Sequence, residues 1–229
     1  MSRQLNQFSR TELAVGPEGI AALKGSTVAV LGLGGVGAIA AEALARAGVG
    51  RIVMIDKDVV DITNINRQLH ALMTTIGRPK VELMEERIKL INPECETVAL
   101  RMFYTEETYE QLFAYPLDYV IDASDTITYK VHLILQCRAR GIPVISSMGA
   151  ANRMDPSQLR VVDISKTHTD PLARVVRRKL RENGVTRGVK VVFSAETPVR
   201  QREDVTQRIV PETAPEIRKA QQPPASNSF

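Results

Sequence analysis

Ten residues, V-A-V-L-G-L-G-G-V-G over 28–37, restrict the fold of this chain more than any other stretch. Val28 to Leu31 read as a buried strand that runs straight into Gly32, Gly34, Gly35 and Gly37, and an alanine-rich helical period follows from Val36 to Ala47. The order strand, glycine turn, helix is that of a βα unit in which backbone N–H groups at the helix start face an anion. Gly32 permits the tight turn, Gly34 lets the backbone approach a phosphate, and Gly37 lets the helix pack against the strand. The turn implies a nucleotide phosphate and leaves the nucleotide open.

The next strand, Arg51 to Ile55, ends in the block I-D-K-D-V-V-D-I-T-N-I-N-R-Q over 55–68. An acid about 20 residues beyond the glycines accepts hydrogen bonds from a ribose. Asp56 is placed for that role, with Asp58 beside it, and to this point NAD fits as well as ATP. The excess is cationic and polar: Asn64, Arg67 and Gln68 follow the strand, and Lys80 opens a helix behind G-R-P. With Arg10, near the start of an N-terminal helix that a Ser9/Glu12 capping box would open, they offer three cations. A triphosphate needs such neutralisation and a nicotinamide dinucleotide does not. Further on, Tyr119 to Asp122 form a strand ending in D-A-S-D. This puts Asp122 and Asp125 in the crevice region of an open α/β sheet, where Asp125 is a candidate for magnesium and, alternatively, an N-cap for the helix over 126–140.

The remaining periodicities predict an amphipathic helix from Pro79 or Lys80 to Ile91, a strand over 96–102, a helix over 106–114 and a strand over 143–147. Strands over 158–164 and 190–196, not required to be parallel, bracket a helix that opens at Asp170-Pro171. On it Arg174, Arg177, Arg178 and Arg181 recur at i, i+3, i+4 and i+7. Charge is uneven: residues 156–229 carry 14 basic and 8 acidic residues, whereas residues 1–155 carry 16 and 18. The stripe is therefore either a solvated helix face or a candidate row of phosphate contacts to a nucleic acid. Scarce aromatics and abundant aliphatics fit a buried, mostly parallel sheet. The expected fold is α/β, a Rossmann-like mostly parallel sheet with helices on both faces and antiparallel strands added in the C-terminal half. The 229 residues suit one domain: N-terminal helices over 1–25, a nucleotide-binding core over 26–155, a basic extension over 156–196, and a proline-containing, flexible crossover loop and tail over 197–229. Cys95 and Cys137 form no C-x-x-C pair and are expected to be buried and structural. No apolar run reaches the roughly 20 residues of a membrane span, and a cytoplasmic location is expected.

The blocks G-L-G-G-V-G, D-K-D-V-V-D-I-T-N-I-N-R-Q, G-R-P-K-V and D-A-S-D, in that order, resemble the ATP-dependent adenylating family of ubiquitin-activating enzymes and the molybdopterin- and thiamine-biosynthesis adenylyltransferases. The downstream stretch S-M-G-A-A-N-R-M-D-P-S-Q-L-R-V-V-D-I-S-K-T-H-T-D-P-L-A resembles that family's tRNA threonylcarbamoyladenosine dehydratase branch. The resemblance implies activation of a carboxylate by ATP. Gly32 and Gly35 would then approach the phosphates, Asp56 the ribose, Asn64, Arg67 and Lys80 the triphosphate, and Asp125 a magnesium ion, while Arg10 would reach the nucleotide of a partner subunit in a homodimer. In this branch the carboxylate of threonylcarbamoyladenosine in tRNA is adenylated and closed into a ring. The alternative within the family is activation of the C-terminal glycine of a ubiquitin-like sulfur carrier, which commonly goes with paired zinc-binding cysteines that this chain lacks. A sulfur-transfer or redox partner protein and a closing segment beyond Phe229 are implied by the resemblance alone.

Overall fold

The computed structural model describes residues 5–200; the tail expected to be a flexible crossover lies, from residue 201, outside the described residues. A seven-stranded sheet organises the chain, in the order β3-β2-β1-β4-β5-β7-β6. Its strands are β1 (Thr27–Leu31), β2 (Arg51–Ile55), β3 (Glu96–Leu100), β4 (Tyr119–Asp122), β5 (Val144–Ser147), β6 (Leu159–Asp163) and β7 (Lys190–Ser194). The helices are α1 (Ser9–Gly25), α2 (Gly37–Ala47), α3 (Lys80–Ile91), α4 (Glu110–Phe113), α5 (Ile127–Ala139) and α6 (Pro171–Glu182). All pairings are parallel except β6 on β7. Of the two late strands, only β6 is antiparallel, because β7 enters beside β5 after the α6 crossover.

The aliphatic run of β1 is buried at every position, which is what a strand covered by helices on both faces requires. Alternate residues serve opposite faces. Val28 and Val30 pack with Ile52, Met54 and the inner sides of α2 and α3, including Ala41, Val81, Met84 and Ile88. Ala29 and Leu31 pack with Val53, Ile55, Val120 and α5 residues Leu133 and Cys137. A third cluster seats α6 through Ala173, Val176 and Leu180 against Ile134, Val191 and Phe193.

Several boundaries differ from the sequence expectation for local reasons. α1 starts from Phe8 with no side-chain cap, so Ser9 already sits inside the first turn. Its hydroxyl accepts from the Asn6 N–H, and the expected capping box is not formed. Gly16, at φ 74°, and Pro17 kink this element into two helical segments. β3 stops at Leu100, whose carbonyl accepts from the N–H groups of Asp56 and Met102. The stretch before α4 is a turn secured by Thr105 and Thr108, which leaves α4 a single turn. Both cysteines are free and buried; burial pushes the Cys137 thiol up to about 12 and raises that of Cys95.

Candidate functional site

The strand order reverses between β1 and β4, and their carboxyl ends open the crevice where sheets of this kind bind ligands. Two turns meet there. Gly32, at φ 84°, leaves β1 so close to the turn after β4 that a Cβ would lie 2.9 Å from the Ala123 carbonyl oxygen. At Gly37 a Cβ would fall 1.8 Å from the Gly32 oxygen, so only glycine lets α2 start this close to the strand. A Cβ on Gly34, by contrast, would meet open space. α2 has no side-chain cap; the Ala38 and Ala40 N–H groups donate to the Gly34 and Val36 carbonyls, so the N–H groups that can face an anion are those of the glycine turn before Ala38.

Asp56 closes β2, and its carboxylate accepts from the Leu33 N–H at 2.7 Å and the Asp58 N–H at 2.8 Å. It therefore braces the glycine turn as well as edging the crevice. Burial raises its pKa, opposed first by the charge of Lys80. The chain over 58–60 runs against 77–80 through a Val59–Pro79 bridge and the Lys80 N–H to Asp58 carbonyl bond. This pairing brings together residues 22 positions apart. The buried Lys80 ammonium lies 3.2 Å from the exposed Asp58 carboxylate.

Between these segments, a 3-10 turn over Ile62–Asn64 is closed by a reciprocal capping box between Asp61 and Asn64. It turns the chain so that the Arg67 backbone lies against Gly35, where a Cβ would come 3.2 Å from the Arg67 oxygen. Arg67 is exposed, with its guanidinium on the Thr63 carbonyl and Asn66. Gln68 is buried and its Oε1 has no partner. The Asp56, Asp58, Asn64, Arg67 and Lys80 expected from sequence thus gather on one loop system beside the glycine turn.

The D-A-S-D turn divides its two acids. Asp125 is exposed and does not cap α5, whose N-cap is Thr126 without a side-chain bond. Its carboxylate accepts from the Thr126 hydroxyl at 3.4 Å. A single outward carboxylate suits magnesium, which takes one or two carboxylates and completes its shell with phosphate oxygens and water. No group of three or more His, Cys, Asp or Glu able to hold a metal by themselves occurs among the described residues.

Asp122, expected at the nucleotide, is fully buried at the base of the D-A-S-D turn. It pairs with Lys130 of α5 at 2.8 Å, accepts from the Ser146 hydroxyl at 2.6 Å, and receives the Ser124 N–H and hydroxyl. Lys130, equally buried, also donates to the Ser147 carbonyl at 3.0 Å. Burial of a charge demands this full pairing. Sequence reasoning passed over Lys130; the signal was one cation on the otherwise apolar inner face of I-T-Y-K-V-H-L-I-L. A second buried pair, Asp170 with Arg153 at 3.5 Å, secures the segment after β5: Asp170 accepts from the Gly149 N–H while also capping α6 through the Ala173 N–H. Arg153 donates in turn to the Glu196 carbonyl.

On α6 the arginines separate. Arg174, Arg178 and Arg181 are exposed, and Arg178 lies 3.7 Å from Glu182. Arg177 turns inward and donates to the carbonyl and hydroxyl of Thr167. Arg10 is exposed on the first turn of α1.

The ThiF family model matches residues 3–213. A tRNA threonylcarbamoyladenosine dehydratase of Bacillus subtilis is 65% identical over 225 residues, 98% of this chain and 88% of the relative. A protein of the same name from Escherichia coli is 41% identical over 207 residues, 87% of this chain and 77% of the relative. Among solved structures, the E. coli tRNA N6-threonylcarbamoyladenosine dehydratase TcdA in complex with ATP aligns with a TM-score of 0.80 at 41% identity. That alignment covers 84% of this chain and 82% of that one.

Proposed function

The chain belongs to the ThiF family, and from that premise we propose that it is an ATP-dependent enzyme that adenylates the carboxylate of threonylcarbamoyladenosine in tRNA and cyclises it. The observation that carries this reading is the meeting of the two turns at Gly32 and Ala123 with Lys80 and Asp56 beside them. It is supported by the likeness to dehydratases and to an ATP-bound relative.

The substrate carboxylate attacks the α-phosphorus of ATP and pyrophosphate leaves. Negative charge grows on the transferring and leaving phosphates, so fixed cations lower the barrier more than any proton transfer would. Lys80 and Arg67 serve as those cations, with the N–H groups around Gly34 and Gly35 against the phosphates. Asn64 and Gln68 add polar contacts, and Asp56 and Asp58 hold the ribose. Asp125 would hold Mg2+, which supplies further charge neutralisation to the polyphosphate when bound. A ureido nitrogen or oxygen of the same threonylcarbamoyl group then attacks the acyl carbon and AMP departs with the former carboxylate oxygen. The sum is formal loss of one water. In this reading residues 26–155 hold the nucleotide, and the 156–196 extension presents Arg174, Arg178 and Arg181 to tRNA.

The working unit of this proposal is a homodimer. Ile62, Leu72, Met73 and Ile76 are exposed on the loop system around the nucleotide site, and a cluster of large apolar side chains on a surface is the usual mark of an interface. A partner's α1 would then deliver its own copy of Arg10 to the nucleotide. No helix among the described residues is long and apolar enough to cross a membrane, and a cytoplasmic location completes the reading.

The test is incubation with ATP, magnesium and tRNA bearing the threonylcarbamoyl group, followed by nucleoside mass analysis. The expected outcome is loss of one water with stoichiometric AMP. Lys80→Ala and Asp125→Ala are each expected to slow AMP formation by roughly 10²–10³-fold, the scale of losing one transition-state charge contact, with the native fold retained by circular dichroism. Wild-type rates in both variants would remove these roles.

A further inference from the structure

At the opposite end of the sheet from the nucleotide crevice, the amino ends of β4, β5 and β7 frame an open groove of about 410 Å3. Ile142 and Pro143 give it an apolar wall, Tyr119 borders it, and Arg138 and Lys190 supply two exposed cations. None of its lining residues is acidic. The Arg138 guanidinium is held at the groove by a 2.9 Å bond to the Gly188 carbonyl, which occupies one of its five N–H donors. The carboxylates next to this end of the sheet are turned to backbone: Asp163 accepts from the Gly188 and Val189 N–H groups, and Asp118 from the Thr27 N–H. Neither neutralises the pair through an ion bridge.

The groove continues a line that begins at the catalytic end. α6 starts at Asp170, which bonds Gly149 just after β5. It ends at Glu182, from which a short loop through exposed Arg187 leads to Gly188 and Lys190 at the groove. Twelve residues of helix span about 18 Å at 1.5 Å per residue. Along that length lie exposed Arg174, Arg178 and Arg181, and past its end Arg187, Lys190 and Arg138. A track of positive charge, carrying the two carboxylates Glu182 and Asp163 along it, leads from one end of the sheet to the other. Its partner needs negative charge repeated over a comparable length, and an RNA backbone provides that.

We infer that this groove is a distal subsite for the tRNA backbone, taking a phosphate and its sugar from the same molecule whose modified base enters the crevice. Arg138 and Lys190 contact the phosphate oxygens, and the apolar wall with Tyr119 receives the sugar or an unstacked base, the usual division between charge and ring contacts in single-strand sites. The inference rests on the reading of tRNA as substrate, and it adds a binding site about one helix length from the chemistry.

The experiment is the double variant Arg138→Ala/Lys190→Ala, assayed for tRNA affinity across a salt series and for steady-state turnover. ATP binding serves as the check on folding, since neither residue belongs to the nucleotide site. The expected result is a roughly tenfold higher KM for tRNA with kcat unchanged, and a log–log salt slope reduced by about 0.7 to 0.9 for the one phosphate no longer neutralised. Turnover of modified tRNA by the wild type tests the underlying reading separately. If the wild type turns over while the double variant keeps both its KM and its salt slope, the groove is no part of the RNA site. Affinity lost without a change of slope likewise overturns the phosphate assignment. Displacement of tRNA by poly-glutamate as readily as by unmodified tRNA at equal charge would make the groove a site for acidic protein and also overturn it.

Discussion

Single residues of the site divide into those fixed by backbone geometry and those fixed by charge. Gly37 and Gly32 are required because side-chain atoms would occupy space already taken by carbonyl oxygens. His70 illustrates the second kind. It is buried with neither ring nitrogen hydrogen-bonded, and burial, reinforced by the positive fields of Lys80 and Arg87, lowers its pKa to about 4. The unfolded ring titrates near 6.5, so between about pH 6.5 and 4 the unfolded chain binds more protons than the folded one. Stability is then lost as pH falls through that window, and His70 has no effect on it well above pH 6.5. Between pH 7 and 5 the loss should amount to about 2 kcal/mol. Urea midpoints of the wild type and of His70→Phe at both values measure it. The variant should show the smaller pH dependence, and parallel curves would mean that the ring titrates alike in the folded and unfolded chain. Asp56, whose raised pKa works in the opposite direction at acid pH, is common to both proteins and cancels.

Among the elements, α5 bears most directly on the site because it carries a cation through the core to the base of the D-A-S-D turn. Lys130 and Asp122 tie α5, β4 and β5 together beneath Asp125. Lys130→Met alone leaves a buried, unpaired carboxylate and should cost about 3–5 kcal/mol in denaturant titration. Adding Asp122→Asn to the same protein should recover most of that loss, because removing both charges is far cheaper than orphaning one. If the double variant is no more stable than the single one, the pair is not what is being lost. Helix α6 was legible as an amphipathic, arginine-striped element, and its Asp170 cap is where the sequence placed it. What spacing could not show is that Arg177, one of four equivalent-looking arginines, reaches back to Thr167. The loop before α6 decides that, and the loop is a tertiary feature.

For the whole molecule, the proposed dimer joins the exposed apolar loop to the chemistry. Light scattering should give twice the mass of one chain, and Leu72→Glu/Met73→Glu should give monomers that have lost AMP formation. Mixing Arg10→Ala with Lys80→Ala chains should restore part of the activity, since a mixed pair contains one intact shared site. Continued activity of the monomeric variant would remove the partner's role. The sequence by itself determined the strand–glycine–helix unit and the mostly parallel sheet, because these follow from hydrophobic period, backbone freedom and local spacing. The same spacing proposed Asp56, Asn64, Arg67 and Lys80 for a nucleotide, and the fold gathers them on one loop system beside the glycine turn. Only the tertiary structure decided that Asp122 is buried in a pair with Lys130, that β7 runs parallel to β5 while β6 is antiparallel to β7, and that Arg138 and Lys190 share a groove. Those outcomes depend on which surfaces meet when the sheet closes: Asp122 and Lys130, 8 positions apart, are marked in the chain only by one cation on an apolar helix face, and the meeting of Arg138 with the chain at Gly188, 50 positions on, is set by packing and has no local mark.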